Sequence, residues 1–203
     1  MKKITIFFIS LMLFFTGMGL HSDEKTASIK IEKIPSSIEE FVTLRNRVSV
    51  SPQGGATMMV IALYIYSINE KLGTKCLTVA IDRKFISKSN SGYKGYSPWT
   101  SELRKFKRRI QGKNSYKIRA YFPGTVTKNW YKLPGGPYVF KWVSNPYSSR
   151  KKGIYKYMLK TNGADFPRPM RVRKNNRGIW KAYEWSSFTL GVKKPKVVMN
   201  DDL

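Results

Sequence analysis

The sequence predicts an α+β fold, with N-terminal helices packed on one face of a curved antiparallel sheet. Residues 37–112 carry apolar positions at helical spacing, and from Tyr116 the apolar period drops to two. Between the alternating runs sit turn residues: Pro123-Gly124, Pro134-Gly135-Gly136-Pro137, Asn162-Gly163 and Asn175-Asn176-Arg177-Gly178. No internal repeat breaks this order, so one domain over residues 37–195 is the natural count.

Met1-Lys2-Lys3 is a charged start, Ile4 through Phe15 is apolar apart from Thr5 and Ser10, and Thr16-Gly17-Met18-Gly19 is a small-residue exit. These are the three parts of a secretory signal, expected over residues 1–22 with cleavage after Gly19 or Ser22. Ile4–Leu20 falls short of the roughly 20 apolar residues of a spanning helix, and no cysteine marks a lipoprotein site. The expected destination is outside the cytoplasm: periplasm, cell surface or medium.

Residues 23–36 read as a linker or a short strand, because Ser28-Ile29-Lys30-Ile31 alternates. Ser37 with Glu40 forms a capping-box pattern at the start of a first helix. Ser51-Pro52 opens a second that runs to Leu72, apolar nearly all round from Ala56 to Ile68 and therefore buried. Gly73 is placed to end it as a left-handed cap, with a third helix from Thr74 to about Lys84. Gly54-Gly55 lacks the following Gly-Lys-Ser/Thr of a phosphate loop and reads as a close-packing pair. Ser87–Tyr96 reads as a loop. Ser97-Pro98 opens a fourth helix ending at Gly112, with Leu103, Phe106 and Ile110 on one face. Strands are expected at 116–122, 138–143, 154–159, 170–173 and 179–185, and a tail at 196–203. Helices laid on such a sheet would resemble a nuclear-transport-factor-2-like or cystatin-like cone, an analogy that carries no function.

The net charge is +26, and it is unevenly placed. Residues 1–82 hold nine Lys+Arg and seven Asp+Glu (9 − 7 = +2), and residues 83–203 hold 29 and five (29 − 5 = +24). A field of that sign favours anionic partners. The candidate anion-binding residues are Arg104, Lys105 and Arg108 on the fourth helix, Arg150-Lys151-Lys152, and Arg168. Pro167 and Pro169 stiffen the chain around Arg168, with Asp165 three residues before it. A rigid loop holding an Asp165–Arg168 pair is expected; otherwise Arg168 is a fork for carboxylate, sulfate or phosphate. The expected partner is an anionic glycan, lipopolysaccharide or anionic membrane surface. Nucleic acid is the weaker partner, because an exported protein seldom meets it. The alternative is a structural or small-hydrophobic-ligand domain with a pocket between helices and sheet.

Chemistry is narrowly bounded. His21, the only histidine, lies at the signal junction, so its loss would exclude Ser-His-Asp, Cys-His and ordinary zinc chemistry. Cys76, the only cysteine, precludes an intramolecular disulfide and sits in an apolar run as a buried thiol. The few acidic residues form no recognisable catalytic motif. The expectation is a non-enzymatic protein without cofactor or metal.

Four stretches together carry a resemblance: Pro52-Gln53-Gly54-Gly55; Gly92-Tyr93-Lys94-Gly95-Tyr96; Tyr121-Phe122-Pro123-Gly124-Thr125; and Gly163-Ala164-Asp165 with Pro167-Arg168-Pro169, running on to Gly178-Ile179-Trp180-Lys181 and Trp185-Ser186-Ser187. The chain resembles an uncharacterised family of exported bacterial domains over roughly residues 37–195. Val126-Thr127-Lys128-Asn129 departs from the family's proline and acidic residue after the Pro-Gly turn. The resemblance implies one exported domain and transfers no catalytic residue.

Overall fold

In the computed structural model, which describes residues 25–144, 148 and 153–196, the alternating segment at the start is a strand, β1 (Lys25–Ile31). The expected leader with His21, the cations Arg150, Lys151 and Lys152, and residues 197–203 lie outside the described residues. Helices α1 (Ile38–Val48), α2 (Pro52–Ile68) and α3 (Glu70–Ala80) follow, then a hairpin of β2 (Ile86–Tyr93) and β3 (Tyr96–Pro98), α4 (Thr100–Ile110) and the short α5 (Tyr116–Arg119). Four more strands complete the chain: β4 (Tyr138–Ser144), β5 (Ile154–Leu159), β6 (Arg168–Lys174) and β7 (Trp180–Glu184). The main sheet runs β1-β4-β5-β6-β7, antiparallel throughout. The α+β class stands.

Side-chain alternation sorts the sheet's two faces. Ile29 and Ile31, Tyr138, Phe140 and Trp142, Tyr157 and Leu159, Met170 and Val172, and Trp180 and Ala182 turn inward onto the helices. α2 lies across them, buried on nearly every side, and the Trp142 indole N–H donates to the Thr57 hydroxyl at 2.8 Å. No described helix is long and apolar enough to cross a membrane. β7 would be an exposed edge. The chain instead covers it from both ends: the Asp82 N–H donates to the Ala182 carbonyl and the Trp180 N–H to the Ser49 carbonyl, each at 2.8 Å.

The capping signals at Ser37 and Ser51 hold with one shift, but Ser97-Pro98 does not open the fourth helix: its backbone pairs in β3, and α4 starts after Trp99 with no side-chain cap. The Ser37 hydroxyl accepts from the Glu40 N–H at 3.2 Å, but the Glu40 carboxylate reaches back to Ser36, accepting from its N–H at 2.7 Å. Ser51 caps α2 through the Gly54 N–H at 3.1 Å.

Three expected elements differ. Gly73 is not a cap but lies inside α3. Asn69 makes the corner, its N–H closing α2 on Ile65 and its carboxamide oxygen accepting from Leu72 to open α3. The third helix therefore starts earlier, and Arg83–Phe85 is a separate 3-10 turn capped by Asp82. Ser87–Tyr96 is not a loop. Lys94 and Gly95 both take positive φ (50° and 77°), the geometry of a type I′ hairpin turn; its polar, half-exposed strands lack the apolar alternation that signals a sheet. The expected strand at 116–122 is a helical turn. Tyr116, Ile118, Ala120, Tyr121 and Phe122 are all buried, and periodicity cannot separate helix from strand in so short an apolar run. The Ala120 carbonyl accepts from the Asn162 N–H and the Thr161 hydroxyl, which ties this turn to the 161–163 loop.

Cys76 is fully buried, and burial pushes its thiol up to about 12, so it stays a protonated packing residue.

Candidate anion-binding face

The strand register builds a basic surface on the sheet face turned away from α2. Lys156 of β5 lies opposite Arg171 of β6, and Arg173 of β6 lies opposite Lys181 of β7. Like charges directly opposite one another destabilise a sheet. Two carboxylates reduce that cost. Glu184 pairs with Arg171. Asp82, only 3% exposed, takes Arg173 with both oxygens, at 2.6 Å from Nη2 and 2.9 Å from Nε. Arg173 also lies over the Tyr183 ring, 4.9 Å from its centroid, and Lys84 approaches the same ring from the 3-10 turn. Lys156 and Lys181 gain no carboxylate among the described residues.

Lys181 is the most perturbed of these cations. Its ammonium donates to the Val79 carbonyl, where the end of α3 reaches β7. Burial pushes its pKa down to about 7, the Arg45 charge pushes the same way, and Asp82 opposes both. An unfolded lysine titrates near 10.4. Between the two values the unfolded chain holds a proton that the folded chain lacks, so stability rises with pH in that window. We expect unfolding free energy to rise by about 1–2 kcal/mol from pH 7 to pH 9, measured by urea titration. Lys181→Met should flatten the rise, and a flat wild-type curve would contradict the depressed pKa.

An aromatic-walled cleft of about 280 Å³ opens beside this face. Phe85, Phe106, Tyr183 and Trp185 form its apolar wall; Lys105, Arg109, Glu102 and Glu184 stand around it. Phe85 is the hub of the rings, with centroid distances of 5.1 Å to Trp185, 5.5 Å to Trp99 and 5.6 Å to Tyr183. Glu184 belongs to both features, so the cleft continues the strand face.

The residues singled out in the sequence fall in three places. Arg104, Lys105 and Arg108 are exposed on α4; of these, Lys105 lines the cleft and is paired with Glu102 at 2.6 Å. Arg150, Lys151 and Lys152 lie outside the described residues. Arg168 turns to the inward side of β6, where its Nη2 donates to the Gly191 carbonyl at 2.9 Å. The expected Asp165–Arg168 pair does not form. Asp165 pairs with Lys193 instead, because the 190–196 segment runs beside the loop and the Lys193 N–H anchors on the Gly163 carbonyl at 2.7 Å. Pro167 and Pro169 still frame Arg168, and the Pro169 carbonyl accepts from the Ser187 hydroxyl at 2.9 Å.

Lys156, Arg171, Arg173, Lys181 and Asp82 were not singled out in the sequence. Alternation within Met170–Arg173 and Ile179–Trp185 was legible, but which cation faces which depends on register. Among the described residues no cluster of three or more His, Cys, Asp or Glu side chains stands together as a metal site.

Fold and face together define a helix-backed antiparallel domain that presents a row of cations with aromatic neighbours. The chain belongs to the family described as domain of unknown function DUF6935, whose model matches residues 33–196. No curated protein and no solved structure matches it.

Proposed function

We propose that this chain is an exported, non-enzymatic module that binds an anionic polymer, such as an acidic glycan or lipopolysaccharide, across the outer face of β5, β6 and β7. The carrying observation is the register that sets Lys156 against Arg171 and Arg173 against Lys181. A sheet retains facing cations at a cost to stability, and an anionic ligand relieves that cost on binding. The aromatic wall of the cleft, with half-buried Phe85 and Tyr183, gives the apolar side of a sugar a surface to pack on beside the cations. Export rests on the leader pattern at residues 1–22.

The test is retention on immobilised heparin. Wild type should elute at much higher salt than a control protein of similar net charge, with affinity falling log-linearly in salt. At pH 6, where Lys181 holds its proton, replacing Lys156 and Lys181 with glutamine should lower the slope by about two. Elution with the control, or an unchanged slope in the variant, would sink the proposal.

The second reading, a small hydrophobic ligand, is favoured by a pocket of about 340 Å³ lined by Tyr121, Phe122, Phe140 and Leu159 with Asn162 and Lys141. On that reading an apolar molecule raises the melting temperature and a polyanion leaves it unchanged.

A further inference from the structure

We infer that Trp130, Arg119 and Lys132 form a binding site for one acidic sugar residue, a pyranose ring that carries a carboxylate or a sulfate. None of the three lies on the β5–β7 face or in its cleft, so the inference stands apart from the polyanion reading.

The site is an open groove of about 480 Å³ lined by Trp130, Arg119, Asn129 and Lys132, with Tyr64 and Leu133 packed against the core. Trp130 is 52% exposed, the most exposed tryptophan among the described residues. The backbone holds it outward against its own preference. Trp130 and Tyr131 both take left-handed φ, 58° and 51°, a region that bulky residues seldom occupy. Strain of this kind persists only where the surroundings fix it, and it gathers at binding sites.

The surroundings that fix it are visible. The Tyr131 ring is fully buried and stacked 6.1 Å from the Tyr116 ring, and its hydroxyl donates to the Lys193 carbonyl at 2.9 Å. The Tyr131 and Trp130 N–H groups close on the Val126 and Thr127 carbonyls at 3.0 and 3.2 Å. Arg119 Nη2 donates to the Trp130 carbonyl at 3.1 Å. Anchoring Tyr131 inward therefore sets Trp130 outward, beside the guanidinium.

Arg119 is braced from its other side as well, where Nη1 donates to the Ser115 hydroxyl at 3.2 Å. Each of these bonds uses one N–H of an Nη group and leaves the other for a ligand. Both acceptors are neutral. Neither Arg119 nor Lys132 meets a carboxylate among the described residues, and Arg119 Nε is enclosed with no hydrogen-bond partner. A partly buried cation without an acid carries an uncompensated desolvation cost, which an anionic ligand reduces.

One exposed indole beside two uncompensated cations matches a sugar ring with an acid group. The C–H face of the ring packs on Trp130, the acid takes Arg119 and Lys132, and a hydroxyl meets the Asn129 carboxamide. A nucleic-acid strand is held by a succession of ring platforms, and this groove offers one exposed ring.

The experiment is a calorimetric titration of the full chain with a uronic-acid tetrasaccharide, a sulfated tetrasaccharide and a neutral one. An acidic tetrasaccharide should bind wild type more tightly than the neutral one, and the tighter of the two acids identifies the group as carboxylate or sulfate. Trp130→Gly should weaken that binding by about tenfold or more, and Lys132→Gln should weaken it several-fold. Replacing Lys156 and Lys181 with glutamine should leave it unchanged. Glycine takes left-handed φ without strain, which offsets the loss of a half-exposed ring, so Trp130→Gly should melt within about 2 °C of wild type. A much lower melting temperature marks Trp130 as a packing residue and overturns the site. Unchanged affinity in Trp130→Gly, equal binding of the neutral tetrasaccharide, or tighter binding of a single-stranded oligonucleotide overturns it too. Affinity lost only in the Lys156 and Lys181 variant moves the acidic sugar to the β5–β7 face, overturning this site and leaving the polyanion reading standing; heparin elution with the control overturns that reading separately.

Discussion

Asp82→Asn should destabilise the protein by about 3 kcal/mol, the lower end for breaking a buried ion pair, because the Arg173 side chain is 40% exposed and partly screened. For a domain of this size that is a fall in melting temperature of roughly 6–12 °C. Asp82 sits where α3 gives way to the 3-10 turn, and its two oxygens accept from Arg173 Nε, Arg173 Nη2 and the Lys84 N–H. Asparagine keeps the shape but loses the charge and one acceptor, and turns an amide N–H₂ toward a guanidinium. Lys181 and Arg173 then face each other across the strands without the nearby acid. A double-mutant cycle with Arg173→Met isolates the pair: the double variant should recover part of the loss, since the orphaned cation is then gone. A melting change below 2 °C in Asp82→Asn would show that Asp82 does not hold the strand pair together.

Gly73→Ala should cost about 3 kcal/mol or more, at or beyond the upper range for overpacking. Helix propensity alone predicts the opposite sign, a gain of about 1 kcal/mol for alanine within a helix. The structure reverses it because a methyl group at Gly73 would lie 2.1 Å from the Tyr66 Cα and 2.4 Å from its nitrogen. Those atoms are backbone of α2, so relief requires the two helices to separate. Tyr66 is itself fixed, 1% exposed with its hydroxyl donating to the Leu103 carbonyl at 3.1 Å, so the displacement reaches α4. Gly135→Ala is the control: no atom lies within 4 Å of its added methyl, and its melting temperature should match wild type. Equal stability of both variants would show that the α2–α3 contact is looser than described.

Local signals were legible where the chemistry is local. Ser37, Ser51 and the Asn175–Gly178 turn act where their residue types and neighbours place them, because a cap or turn closes hydrogen bonds within four residues. The alternating stretches at 138–143 and 154–159 became β4 and β5 because one side of each meets the helices. The 116–122 segment misled because its neighbours, not its period, decide its backbone: five of its seven residues are buried, Lys117 and Arg119 are half-buried, and the 161–163 loop supplies hydrogen bonds to the Ala120 carbonyl. The Lys94-Gly95 hairpin was hidden because its strands are polar.

The amino-acid sequence by itself determined the α+β class, the buried α2, the single inert cysteine and a large positive charge concentrated after residue 83. It also marked Arg104, Lys105, Arg108 and Arg168 as cations of interest, and these fall on different surfaces. Only the tertiary structure decided that Lys156 meets Arg171, that Arg173 meets Lys181 and that Asp82 answers one of the four. Charge is a property of the residue type and can be counted along a chain. Which charges confront each other is set by register and packing between segments as distant as Asp82 and Arg173, and no local pattern encodes that distance.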